Sequence, residues 1–126
     1  SKEEQFLAEM LENLKNPHDT VKVKDLNGLL DSGDRPTLVD IRLPEHFSES
    51  HVPGSINIPQ DDLGGRIGEL PEDRDAPIVT VCNIGKFSKH ATLYLKSKGY
   101  RNVRSAKGGL NEWVRKGLPV ESGNAD

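Results

Sequence analysis

Ile78-Val79-Thr80-Val81-Cys82-Asn83-Ile84-Gly85-Lys86-Phe87-Ser88 is the stretch that decides the fold. Four β-prone residues run directly into a loop that carries the chain's one cysteine and a glycine, and a helical stretch follows from Ser88 to Lys98. A strand with no polar-outward alternation is buried on both faces, as in a parallel sheet covered by helices. Outward from this stretch the pattern repeats. Short β-branched runs recur at Val21 to Val23, Thr37 to Ile41, Ser55 to Ile58 and Val103 to Ser105. Helical stretches lie between them near Asp25 to Leu30, Pro44 to Glu49 and Asp61 to Leu70, with a last one near Leu110 to Lys116. Such alternation predicts one α/β domain built on a mainly parallel sheet.

Residues 3–15 place Phe6, Leu7, Met10, Leu11 and Leu14 at three-to-four spacing, which predicts an extra N-terminal helix ended by Asn16-Pro17. The expected organisation is a helical extension over 1–18, the domain over 19–121 and a frayed tail over 122–126. At 126 residues the chain suits a single domain. One thiol makes neither an internal disulfide nor a multi-cysteine zinc site, so Cys82 is either an inert core residue or a working thiol. No apolar run approaches the ~18 residues of a membrane span, and the expected compartment is the cytoplasm, with removal of a leader before Ser1 left open.

The net charge of -3 hides two opposed segments. Residues 1–77 hold 8 basic and 17 acidic side chains, or -9, whereas 78–120 hold 9 basic side chains and one acid, or +8. The basic segment contains Cys82. Either its lysines are ordinary solvated helix faces, or they set a positive field around an anionic substrate. Nucleic acid is a poor partner for a net acidic chain with no nucleic-acid motif.

A cysteine at a strand end, ahead of a helix, sits where unpaired backbone N–H groups and the positive helix terminus converge. That environment favours the thiolate, which is the nucleophilic form of the side chain. Gly85 supplies the freedom in φ that a tight anion cradle needs. His18, His46, His51 and His90 point to no metal or acid–base site: His46 and His51 are five apart rather than four, no carboxylate pattern completes a zinc motif, and His90 lacks a partner for a general-base role, which leaves it at most a weak electrostatic effect on Cys82. Asp40 and Arg42, two apart on a strand, share one face near its carboxyl end, either as a structural pair or with Arg42 drawing an anion toward Cys82. Arg66 is expected either in solvent or facing the site, and Trp113 in the core with a close backbone approach at Gly108-Gly109.

Four strings in order carry a family resemblance: Leu38-Val39-Asp40-Ile41-Arg42-Leu43-Pro44-Glu45-His46-Phe47, His51-Val52-Pro53-Gly54-Ser55-Ile56-Asn57-Ile58-Pro59, the Cys82 loop, and Gly108-Gly109-Leu110-Asn111-Glu112-Trp113. Together they resemble the rhodanese-like domain over roughly Val21 to Val120. The resemblance implies a central five-stranded parallel sheet flanked by helices. It also implies a sulfurtransferase that moves a sulfane sulfur from thiosulfate or a persulfide to a thiophilic acceptor, with no cofactor beyond a covalent persulfide on Cys82. The amides of Asn83, Ile84, Gly85, Lys86, Phe87 and Ser88 would surround that sulfur, with Asp40 and Arg42 supporting the site or steering the substrate. Implied partners are a small anionic sulfur donor or a persulfide-carrying protein, and a thiol or cyanide-like acceptor, with no nucleic acid and no membrane.

Many active members have arginine where this loop has Phe87. That difference bears on thiosulfate more than on sulfur transfer, and leaves Lys86 either to substitute or to face solvent. Related phosphatases use cysteine, five intervening residues and arginine, whereas this chain reaches Ser88 at that position. The alternative function is a catalytically weak rhodanese-like binding or regulatory module.

Overall fold

The computed structural model describes residues 1–5, 7–8 and 19–123. Residues 2–5 and 7–8 are helical, and the rest of the expected N-terminal helix, like His18, lies outside the described residues. Five strands, β1 (Thr20–Val21), β2 (Thr37–Asp40), β3 (Ile56–Asn57), β4 (Ile78–Val81) and β5 (Val103–Ala106), form one sheet in the order β1-β5-β4-β2-β3. Every pairing in it is parallel. The connecting helices are α1 (Val23–Leu30), α2 (Pro44–Glu49), α3 (Lys86–Ser97) and α4 (Gly109–Arg115).

Central β4 is buried along its whole length, as its unalternating sequence requires. The period of two divides the core into two layers. Val39, Ile78, Cys82 and Val103 face one cluster with Ala91 and Leu95 of α3. Leu38, Val79, Val81 and Ala106 face the other, against Leu26 of α1 and Leu110 and Trp113 of α4. A fully buried leucine such as Leu26 contributes ~1.5–3 kcal/mol by leaving water.

The expected helix over Asp61 to Leu70 is not formed. In its place stand two 3-10 turns, Gln60–Asp62 and Ile67–Glu69, on either side of Gly64-Gly65. Each glycine inside a helix costs roughly 1 kcal/mol against alanine, and the broken path still buries Leu63 and Leu70. Helix α3 begins at Lys86 rather than Ser88, because Gly85 at φ +90 turns the chain straight into the helix. Trp113 is buried and its Nε1 donates to the Pro119 carbonyl at 2.7 Å.

Residues 121–123 are tied to α2 and the turn after it, and the rest of the expected frayed tail, 124–126, lies outside the described residues. His51 and Glu121 exchange backbone hydrogen bonds of 2.9 Å, and Ser122 and Gly123 donate to the carbonyls of Glu49 and Ser48. The Gly54 N–H donates to the Glu121 carboxylate at 3.0 Å and holds its pKa below the usual range, helped by His51 and Arg35. A depressed carboxyl stabilises the fold above its unfolded pKa of about 4.3, and that contribution disappears as pH falls through the folded value. Glu121→Gln is therefore expected to flatten the loss of stability on acidification below about pH 5, by under ~1 kcal/mol because the group is half exposed. Urea unfolding at a series of pH values measures it, and an unchanged slope would refute it.

Candidate active site

Cys82 follows β4 by one residue and shares the parity of Ile78 and Thr80, so its side chain faces α3. The residue is 4% exposed. Its Sγ accepts hydrogen bonds from the N–H groups of Gly85 at 3.1 Å and Ser88 at 3.3 Å. Gly85 is the N-cap of α3 and offers no side chain for capping. The cysteine sulfur takes that role, accepting from an amide of the first turn that has no intrahelical partner. Two N–H donors and the positive end of the helix therefore converge on this sulfur.

The hydroxyls beside it form a chain. Cys82 Sγ and Ser88 Oγ are 3.3 Å apart, and Ser88 Oγ and Ser105 Oγ 2.6 Å apart. A thiol donates to Ser88 Oγ, whereas a thiolate accepts from the Ser88 hydroxyl while Ser105 donates in turn to Ser88. Thr80 donates to the Ser88 carbonyl at 2.8 Å and meets Thr92 at 2.9 Å, which fixes the first turns of α3 on β4. Ser105 and Thr80 are cross-strand partners, and both are fully buried. Sequence reasoning had not singled them out. The available signal was a polar residue in each of two apolar strands, at the parity of Cys82.

Glycine geometry holds the loop from behind. A Cβ on Gly85 would stand 2.9 Å from the Gly108 nitrogen and 3.3 Å from the Ala106 carbonyl oxygen. Leu110 N–H donates to the Cys82 carbonyl at 2.8 Å and Asn111 N–H to the Asn83 carbonyl at 2.9 Å. The N–H groups of Ile84, Lys86 and Phe87 have no partner among the described residues.

Above Cys82 opens a cleft of about 420 Å3. Its walls are Ile41, Leu43, Pro59, Ile84 and Phe87, with Arg42, His46, Gln60, Asp61 and Asn83 as the polar members. Leu43, Ile84 and Phe87 are each more than half exposed and form an apolar rim around the buried sulfur. Of the expected loop residues, Lys86 is exposed and does not line the cleft. None of the nine basic residues of 78–120 lines it either. Lys96, Arg101 and Arg115 of that segment are paired with Asp19, Asp75 and Glu112.

Asp40 and Arg42 form a buried ion pair, with Arg42 Nη2 2.8 Å and Nε 2.9 Å from the carboxylate. Nη2 also donates to the Ser50 carbonyl at 2.7 Å. The Asp40 carboxylate accepts from the Arg42 backbone N–H as well, and Asn57 Nδ2 bridges the carbonyls of Asp40 and Arg42. The pair thus locks the end of β2, while Arg42 still borders the cleft. Arg66 is part-exposed and paired with Glu69 at 2.6 Å. His51 is buried against the ring of Phe47, His46 stands in the cleft wall, and His90 touches the Phe87 ring edge-on outside the cleft. Among the described residues no three His, Cys, Asp or Glu side chains stand together as metal ligands.

The family model described as Rhodanese-like domain matches residues 22–116. A sulfurtransferase of Allochromatium vinosum is 37% identical over 83 residues, which cover 66% of this chain and 76% of that protein. Thiosulfate sulfurtransferase GlpE of Glaesserella parasuis is 37% identical over 86 residues, 68% of this chain and 78% of that one. The crystal structure of a rhodanese-related protein from Thermoplasma volcanium superposes with a TM-score of 0.72 at 27% identity, covering 81% of this chain and 96% of that one.

Proposed function

Since this chain belongs to the rhodanese-like domain family, we infer that it is a rhodanese-type sulfurtransferase that carries its sulfur as a persulfide on Cys82. The observation that carries the reading is the Cys82 sulfur itself, at the floor of an open cleft and held by the Gly85 and Ser88 amides. In the first half-reaction the Cys82 thiolate attacks the outer sulfur of the donor. A bond forms between Sγ and that sulfur, the donor's own S–S bond breaks, and its electron pair leaves with sulfite or an organic thiolate. In the second, the acceptor attacks the terminal sulfur and Cys82 departs as the thiolate it began as. The persulfide is an anion, and the free N–H groups of Ile84, Lys86 and Phe87 are the spare donors of a loop already arranged around sulfur.

The lining of the cleft favours an organic or protein persulfide over thiosulfate as donor. Thiosulfate is a dianion, and the one guanidinium beside Cys82 has Nε and Nη2 committed to Asp40 and Ser50. Asp61 adds a carboxylate to the wall, and the rim of Leu43, Ile84 and Phe87 suits an apolar donor body. Phe87→Arg supplies one charge-assisted hydrogen bond of ~1.5–3 kcal/mol, so thiosulfate loading is expected to rise about 10- to 100-fold without a matching gain for a glutathione-type persulfide. Equal rates before and after the substitution would remove this donor preference.

The main test offers thiosulfate and a glutathione-type persulfide separately, then weighs the protein. A gain of one sulfur atom, located on Cys82, is the expected result. No gain from either donor, with Cys82 inert to alkylation at neutral pH, would overturn the reading.

A further inference from the structure

A second cleft, of about 590 Å3, opens at the carboxyl ends of β1 and β5, and four lysines line it. Lys22 joins β1 to α1, Lys24 lies in the first turn of α1, Lys107 joins β5 to α4, and Lys116 caps the end of α4. Thus two lysines from the acidic half of the chain stand with two from the basic half, because β1 pairs with β5. None of the four forms an ion pair among the described residues. Among the described residues the one acid in the wall is Glu112, which is held by Arg115, with Nη2 2.5 Å from Oε1, and also feels the charge of Lys116.

Lysines on a solvated face normally spread apart, and helix physics disfavours cations at a helix N-terminus. Here Lys22 and Lys24 occupy that position on α1, beside two further ammonium groups. The first turn also holds Asp25, which does not line the cleft. We propose that this four-lysine cleft binds a small ligand carrying two or more phosphoryl groups. The volume is that of a small-molecule site. Lysine acts on phosphate as a point charge, and four exposed lysines lining one cleft favour a ligand with several negative charges in a compact body. A di- or triphosphate supplies that density, whereas an acidic peptide spaces its carboxylates along an extended chain. Val23 and the bare backbone of Gly108 complete the wall. Gly108 abuts Gly85 of the cysteine loop.

Inorganic pyrophosphate, titrated calorimetrically into the full chain at low and at physiological salt, is the probe. Saturable binding at one site is expected. The pair Lys107→Gln with Lys116→Gln should weaken it at least about tenfold, and the equally charged change Lys89→Gln with Lys98→Gln should leave it unaltered. Lys24→Glu should weaken binding too and, as it places an acid at the start of α1, raise the melting temperature. Absence of saturable binding, equal loss in both double variants, or tighter binding of a poly-glutamate peptide than of pyrophosphate would overturn the proposal. So would a lowered melting temperature in Lys24→Glu, which would give that lysine a structural role.

Discussion

Cys82→Ser is expected to abolish sulfur transfer, with a loss of at least about a thousandfold in turnover and no sulfur gained by the protein on incubation with any donor. The fold explains why the effect should be confined to the chemistry. Serine keeps an acceptor for the Gly85 and Ser88 amides and fits the space that the cysteine occupies. It gives up only a small buried sulfur in the layer shared with Ile78 and Leu95, so stability should change by about 1 kcal/mol or less. What serine lacks is a sulfur nucleophile that can hold a second sulfur in a bond weak enough to pass on. The chain has one cysteine, so no other thiol can take over. Intact-mass measurement and a transfer assay, beside an unfolding curve, separate chemistry from folding. Undiminished sulfur transfer by the folded serine variant would show that Cys82 is not the carrier.

Much of this site is legible in the sequence, and the part that is not has a physical reason. The strand from Ile78 to Val81 reads directly as central, and its parity already assigns Cys82 to the face covered by the following helix. Gly85 is legible because only a left-handed residue turns so short a loop into a helix, and it does stand at φ +90. The electrostatics were not legible in the same way. A stretch of nine basic residues looks like a field around its cysteine, yet residues on α3 rotate by about 100° at each step, and the lysines among them face away from the cleft. Sheet order decides the rest. Sequence adjacency puts Lys22 and Lys24 among acids, whereas the β1–β5 pairing brings them to Lys107 and Lys116. The helical reading of Asp61 to Leu70 failed for a smaller reason, since the apolar spacing of Leu63, Ile67 and Leu70 satisfies a glycine-broken pair of 3-10 turns as well as a helix.

Gly109→Ala is the substitution expected to harm the fold and the site together. Gly109 sits at φ +62, where a Cβ costs ~1–2 kcal/mol from local sterics alone. The surroundings add more. A Cβ there would overlap the Cys82 carbonyl oxygen and come within 2.7 Å of the carbonyl carbon and oxygen of Asn83, all of them backbone. The atoms in the way belong to the loop that holds the sulfur, so the loop must move or α4 must withdraw. Withdrawal stretches the Leu110-to-Cys82 and Asn111-to-Asn83 hydrogen bonds, which pin that loop from behind. The combined destabilisation is expected at ~3–5 kcal/mol, a large part of a small domain's total. Two other glycines provide the comparison. Gly117 has φ +70 but nothing within 4 Å of its would-be Cβ, so Gly117→Ala should cost only the ~1–2 kcal/mol of conformation. Gly28, inside α1 with open space and an ordinary φ, should gain ~0.4–1 kcal/mol on the same change. Urea unfolding orders the three, and alkylation of Cys82 in the folded Gly109→Ala protein reports whether the displaced loop still presents its sulfur. If Gly109→Ala costs no more than Gly117→Ala, the close approach between α4 and the cysteine loop is not what positions the sulfur, and the backbone support assigned to Leu110 and Asn111 falls with it.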